Sequence, residues 1–278
     1  VMGDDVDSVF WNPSGIAGLA GEQLTATYLS YFQDVNLGFV GGANPVKDLG
    51  VFGLSLAYMS VKDINRYGLD ETPGANFGAS DMNIMLSYAK KDIIPRLSAG
   101  ANAKMLSQKI DDKKASAVAF DLGATYNITP EIGASVVLRD MRTKPKFVNV
   151  ADSLPLNLIA GVGYKPEMLK GLTLESDVEM YFRDKKTYPS VGAEYWIADI
   201  AALRAGYTFG RDLGKASGLG AGVGFKLMFF RLDYAFAPAG DLGSTHRISL
   251  NCNLGELSKP AVPEVKAEPA AAPAPVLP

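Results

Sequence analysis

The sequence predicts an all-β chain: a transmembrane β-barrel of about 14 antiparallel strands, with the N-terminal segment folded into its lumen. Three observations lead there. Segments near ten residues long with period-2 alternation recur from Leu24 to Leu254, and that period belongs to strands. The connections between them alternate between short and long, as at the two rims of an outer-membrane barrel. Tyrosines gather near the segment ends, at the level where a half-polar ring meets lipid headgroups.

Composition sets the outer bounds. The chain has 278 residues, 47% hydrophobic and 21% charged, with a mean hydropathy of +0.06. No apolar run approaches the roughly 20 residues of a spanning helix, so any crossing must be made by strands. A net charge of −3 gives no electrostatic case for nucleic acid as a partner. Cys252 is the single cysteine, which excludes internal disulfides and cysteine metal sites. No cofactor or metal is expected. The chain opens at Val1 without a signal-peptide pattern, as a sequence beginning after a processed N-terminus would, so export is inferred from elsewhere.

Taken in order, residues 1–22 come first and do not alternate. Asp4, Asp5 and Asp7 precede an apolar run, Val9-Phe10-Trp11, that breaks at Asn12-Pro13-Ser14-Gly15. The acids fit a solvated turn better than a cation site, and Asn-Pro followed by Ser-Gly starts a turn or helix. An exposed Phe-Trp pair is a liability. The segment is therefore expected as a lumen plug of Phe10, Trp11, Asn12, Pro13 and Gly15, with Trp11 packed on the inner wall and Asn12 capping the turn. Its seat is expected against Gly218, Gly220, Gly222 and Gly224, which leave one strand bare on its inner side.

Residues 23–255 form the barrel. Strands are expected near 24–33, 35–43, 49–60, 81–91, 96–107, 115–127, 130–140, 156–166, 171–182, 188–198, 200–209, 217–227, 229–237 and 244–254. In Leu172–Phe182, Leu174, Val178 and Met180 share a lipid face while Glu175, Asp177 and Glu179 share the lumen face. In 217–227, Val223 and Phe225 oppose glycines and Lys226. Leu232 and Ile248 continue the lipid band. Connections near 44–48, 92–95, 128–129, 167–170, 199 and 228 are short; those near 61–80, 108–114, 141–155, 183–187, 210–216 and 238–243 are long or polar. An even strand count returns both termini to the short-turn, periplasmic side. Tyr28, Tyr58, Tyr88, Tyr164, Tyr195 and Trp196 are among the girdle candidates.

The closing hairpin, Phe230 to Leu254, is expected to be symmetric about Gly240. Leu232 then faces Ile248, Tyr234 faces His246 and Asp233 faces Arg247, the last as an ion pair in the lumen. Beyond it, residues 256–278 are a Pro/Ala-rich stretch expected to be a disordered periplasmic tail.

Candidate chemistry is sparse. The glycines at 218–224 fall every second residue inside a strand, so they are small lumen residues and not a phosphate loop. His246, the single histidine, has Ser244 on its own face but no orienting acid, and stabilises the hairpin without acting as a base. Glu175, Asp177, Glu179, Arg204, Lys226, Arg231, Asp233 and Arg247 have mixed signs that fit mutual pairing in a polar interior. No catalytic residue is expected.

Two blocks carry a resemblance. Phe10-Trp11-Asn12-Pro13-Ser14-Gly15-Ile16-Ala17 resembles the WNPAGLA-like segment of the PorV/PorQ family, relatives of the FadL long-chain fatty-acid transporters; Ser14 and Ile16 depart from it. The run from Asp233 to Leu250 is similar to that family's terminal hairpin. The resemblance implies a non-enzymatic outer-membrane barrel acting in protein secretion or as an envelope scaffold. Its partners would be membrane lipid and secretion-system components or exported protein cargo. Transport of a hydrophobic small molecule, as in FadL relatives, is the alternative, and an anchor holding a periplasmic partner through the tail is a third. The tail departs from members that end with the barrel.

Overall fold

The computed structural model describes residues 3, 5–31, 35–67, 72–142, 146–147, 150–151, 156–211 and 216–257. Of the disordered tail expected over 256–278, residues 256–257 instead end a short helical turn, Leu254–Leu257; 258–278, like Asp4, lie outside these residues. A short helix α1 (Ser8–Trp11) and a 3₁₀ turn (Pro13–Gly18) precede the strands. These are β1 (Gln23–Ser30), β2 (Asn36–Val46), β3 (Gly50–Ile64), β4 (Phe77–Ile94), β5 (Leu97–Ile110), β6 (Lys113–Asn127) and β7 (Ile132–Arg142). A two-residue pair follows, β8 (Lys146–Phe147) with β9 (Val150–Ala151). Then come β10 (Asn157–Tyr164), β11 (Leu172–Tyr181), β12 (Lys186–Ile197), β13 (Ala201–Thr208), β14 (Leu219–Leu227), β15 (Phe230–Pro238) and β16 (Ser244–Asn253).

All but β8 and β9 close into one barrel of 14 strands in which every neighbour is antiparallel, β1 sealing against β16. Closure leaves no edge to be satisfied by lipid, which cannot hydrogen-bond a backbone. Alternation does the sorting. Leu54, Leu86, Met105, Leu122, Leu203 and Leu250 are exposed on the outer face, while Thr25, Ser55, Ser87, Asn102 and Asp121 are buried within. Polar groups inside and bare aliphatics outside invert the order of a soluble sandwich. No helix among the described residues is long and apolar enough to cross a membrane.

The rim holding the start of β1 and the end of β16 carries the tight turns, at 47–49, 95–96, 128–131, 165–171, 198–200 and 228–229. Several need a left-handed residue: φ is 63° at Asp48, 52° at Ala198, 57° at Asp199 and 54° at Met228. Consecutive positive φ at Ala198 and Asp199 matches the hairpin turns whose twist suits paired strands. The opposite rim holds the long connections 65–76, 143–156 and 209–218. The connection expected to be long or polar near 108–114 is the short polar turn Asp111-Asp112, because β5 and β6 continue pairing to Ile110 and Lys113. Together with β3 and β4 they raise that part of the wall above the rest.

One register expectation is corrected. Leu232 faces Leu250, Tyr234 faces Ile248 and Asp233 faces Ser249, two residues from the symmetric assignment. The hairpin is centred on Asp241, since a 3₁₀ turn at Gly240–Leu242 lies between the strands and Ala239 N donates to Gly243 O. A shift of two preserves the faces and changes every pair.

A polar knot stiffens the wall at mid-height. Lys104 Nζ lies 2.7 Å from Asp121 Oδ1 and 2.9 Å from Asp140 Oδ1, with Lys104 only 4% and Asp121 1% exposed. Asp140 takes φ of 59° at a bulge in β7, and its N–H donates to Asp121 Oδ1. The bulge brings this second carboxylate onto the lysine.

Two tests follow from the wall. Val223→Arg, mid-strand on the lipid face, is expected to cost about 2–4 kcal/mol in folding titrations in bilayers, whereas the same change in a soluble sandwich would be near neutral at an exposed site. Lys104→Met leaves two shielded carboxylates and is expected to cost roughly 3–5 kcal/mol. Adding Asp121→Asn and Asp140→Asn should recover most of that loss; equal stability of the single and triple variants would contradict the burial.

Candidate functional site

The N-terminal segment lies against the inward side of β3 to β6, at the tight-turn end of the lumen. Val6, Val9, Ile16 and Leu19 pack with Phe39, Val51, Met85 and Ala89 in one buried cluster. Pro13 and Asn12 press on Gly100 and Gly123; a Cβ at Gly100 would meet the Pro13 carbonyl carbon at 2.5 Å, and one at Gly123 would collide with the Asn12 Oδ1. Asn12 Oδ1 accepts from Ser14 N (3.1 Å) and Ser14 Oγ (2.7 Å), capping the turn that Pro13 starts. Its Nδ2 donates to Thr125 Oγ1 at 3.2 Å. Asn102 Nδ2 donates both to Val9 O (2.8 Å) and to Asp121 Oδ2 (2.9 Å), tying the segment to the Lys104 knot.

This seat differs from the expected one. The glycines under the segment include Gly100, Gly123 and Gly53, the last beside Val9, while Gly220 has nothing within 4 Å of a Cβ. The segment presents an apolar ridge of Val9, Ile16 and Leu19. The β3–β6 wall offers matching apolar side chains, whereas bare glycines give such a ridge nothing to pack on. Trp11 also differs: it is 46% exposed and turned toward the lumen space, not packed on the wall. Its ring meets Phe10 edge-on at 5.2 Å, with the Arg139 guanidinium 5.9 Å from its centroid.

Opposite the segment, along the inner face of β11 to β16, runs a cavity of about 960 Å³. Its lining reaches from Lys165, Lys170 and Asp199 at the tight-turn rim up to Leu29, Ala237 and Thr245 near the other. Small residues clear the wall: Gly192 pairs with Gly206, Gly206 with Gly220, and Gly222 with Ala235. A Cβ at Gly220 would meet nothing within 4 Å.

A ladder of alternating charge crosses the lower part of this cavity. Glu194 Oε2 accepts from Arg204 Nε at 2.6 Å, and Arg204 Nη1 donates to Asp233 Oδ1 at 2.6 Å. Asp233 Oδ2 accepts from Arg231 Nε at 2.8 Å, and Arg231 Nη2 donates to Asp5 Oδ2 at 2.5 Å. The chain of pairs ends on the N-terminal segment, where Asp7 also accepts from Thr25 (2.7 Å) and Asn251 (3.3 Å). Glycine at 224 makes room, since a Cβ there would lie 2.5 Å from Asp233 Oδ1.

The expected pair Asp233–Arg247 is therefore not formed. The register shift puts Arg247 opposite Ala235, and its Nε donates to Ser249 Oγ at 3.2 Å. Glu175 lines the cavity; Asp177 accepts from Ser190 and Glu179 from Asn157, both on neighbouring strands. Lys226 pairs in register with Arg231 at the tight-turn rim. Trp196, expected in the outer girdle, faces inward: its indole N–H donates to Glu194 Oε1 at 2.9 Å, and Arg204 lies 5.7 Å from its ring centroid. Its place two residues from Glu194 was the available signal. Asp5, Glu194 and the Lys104 knot were not singled out beforehand as pairing residues, although Lys104 between Ala103 and Met105, and Asp121 between Phe120 and Leu122, stand out as charges inside apolar alternation.

His246 lies on the outer face, with Tyr234 Oη 2.8 Å from Nδ1 and Ser244 Oγ 3.1 Å from Nε2. The Tyr234 contact ties β15 to β16 at the rim. No group of three or more His, Cys, Asp or Glu among the described residues is arranged to hold a metal.

No family model and no curated protein matches the chain. Its fold is similar to that of the Ralstonia pickettii toluene transporter TbuX, at 11% identity and a TM-score of 0.65 over 90% of this chain and 94% of that one. The Pseudomonas putida toluene transporter TodX aligns at 12% identity and a TM-score of 0.59, over 88% and 91%. A Pseudomonas aeruginosa FadL homologue aligns at 12% identity and 0.56, over 90% and 94%. At such identities the likeness speaks for fold alone: the chain shares the closed antiparallel barrel fold of these structures.

Proposed function

We propose that the chain is an outer-membrane channel that passes a small, largely apolar molecule along the β11–β16 side of its lumen. One observation carries this: the cavity is lined by residues of both barrel ends, beside the N-terminal segment. Its roughly 960 Å³ suits a small molecule or a short chain, not a folded or extended protein. The names of the similar structures, two of them toluene transporters, point the same way. Secretion of the PorV/PorQ type is supported by the two terminal sequence blocks only, and the cavity favours transport. In this reading residues 1–22 act as a partial plug, filling the β3–β6 side and leaving the other side free. The tight-turn rim, with the start of β1 and the end of β16, faces the periplasm, and membrane lipid surrounds the strand wall.

Gly220→Leu tests the route. The new side chain enters open space, so the barrel should keep its heat-modifiable migration. Single-channel conductance in planar bilayers should fall by at least half. Uptake of labelled small aromatic compounds by cells with the barrel as their added outer-membrane channel should drop to the rate of cells without it. Unchanged conductance and unchanged uptake would place the passage elsewhere and sink the proposal.

A further inference from the structure

The chain has two tryptophans, and both line the same cavity. Neither is there to fill a core. Trp11 leaves 46% of its surface uncovered, whereas Val6, Val9, Ile16 and Leu19 of the same segment are almost fully buried. Trp196 is fixed by its N–H bond to Glu194. Each indole has a guanidinium about 6 Å from its centre, Arg139 at 5.9 Å and Arg204 at 5.7 Å. Arg204 is itself held between Glu194 and Asp233, so its cation cannot swing away.

This arrangement selects among aromatic molecules by charge. An indole attracts cations, but a guanidinium already about 6 Å from each ring opposes a second positive charge there. Anions gain no net field, since the lining carries six acids against five bases. A bare hydrocarbon would cover the rings but would strip water from the carboxylates of the ladder and return nothing to them. An ionised carboxylate has about four lone-pair sites. Glu194 and Asp233, each holding one donor per oxygen, therefore retain capacity for a ligand O–H. The wall between is glycine and alanine, leaving a flat ring room to pass.

We infer that the cargo class of the proposed channel is a neutral, hydroxylated aromatic, and that Trp11 and Trp196 are the specificity-determining residues that stack on it. The inference rests on the channel reading and narrows it.

The two indoles supply the probe. The barrel in lipid nanodiscs, with empty nanodiscs as the partition blank, is titrated with four near-isosteric compounds: p-cresol, toluene, p-toluate and 4-methylbenzylammonium. Tryptophan emission should change saturably with p-cresol, at least tenfold more weakly with toluene, and not saturably with either ion. Trp11→Phe and Trp196→Phe should each keep a saturable p-cresol signal from the remaining ring, and Gly220→Leu should lose it. Toluene binding as tightly as p-cresol, either ion binding more tightly, or a signal from only one of the two tryptophans would overturn the inference. So would the absence of saturable binding by all four compounds. In every such case the conductance and uptake of Gly220→Leu judge the channel reading separately.

Discussion

A closed wall of 14 strands encloses more room than its own inward side chains can fill. That constraint shapes everything else in the molecule. The lumen must be filled, left wet, or divided between the two, and this chain divides it. On the β3–β6 side the N-terminal segment supplies the missing apolar core, with Val6, Val9 and Ile16 almost completely buried. On the β11–β16 side Gly192, Gly206, Gly220, Gly222 and Ala235 leave space beside the charged ladder. The same constraint explains why Gly100 and Gly123 lie under the segment while Gly220 lies over nothing. Glycine serves close approach in one half and clearance in the other.

Dividing the lumen creates a boundary that must be held without a continuous core. Charge does this. The ladder from Glu194 to Asp5 runs across the wall and ends on the segment, so the segment's start is fixed to β15 while its later turns are fixed to β5 and β6. Paired, hydrogen-bonded charges suit a surface that is partly wet, where an apolar contact would have nothing to bury against. Arg231 links Asp5 and Asp233, which places one wall residue at the junction of segment and cavity. The Lys104 knot, well inside and nearly dry, is a different case. There Lys104 and Asp121 are almost fully buried, and Asn102 passes their order on to the Val9 carbonyl.

Much of the wall was legible in the sequence because a strand's period is independent of its partner. Leu174 against Glu175, or Val223 against Gly222 and Gly224, sorts the faces with no knowledge of neighbours. Register was not legible to the same degree. The closing hairpin turns through a 3₁₀ segment that no alternation reports, and the two-residue shift moved Asp233 from Arg247 to Ser249 while leaving the faces correct. Pairings across several strands, such as Asp5 with Arg231 or Lys104 with Asp140, depend on closure and on a bulge, and neither has a local signature. The N-terminal segment was recognisable as something that could not join the wall. Its side of the lumen was not, because glycines that accept a neighbour and glycines that leave a gap look the same in sequence. Trp196 misled for a related reason: a tryptophan near a strand end fits a girdle unless its parity is followed down the strand.

The central claim is that the N-terminal segment and an open passage share the lumen side by side. Cysteine accessibility tests it most directly. In a Cys252→Ala background, Ser55→Cys places a thiol in the buried β3–β6 wall, and Ala235→Cys places one on the cavity side. Each protein is reconstituted in planar bilayers and treated with a small charged methanethiosulfonate from the aqueous phase, with current and modification both followed. The account predicts rapid modification and current block at 235, with slow modification and no block at 55. Equal rates at the two positions, or an intact protein that carries no current, would contradict it.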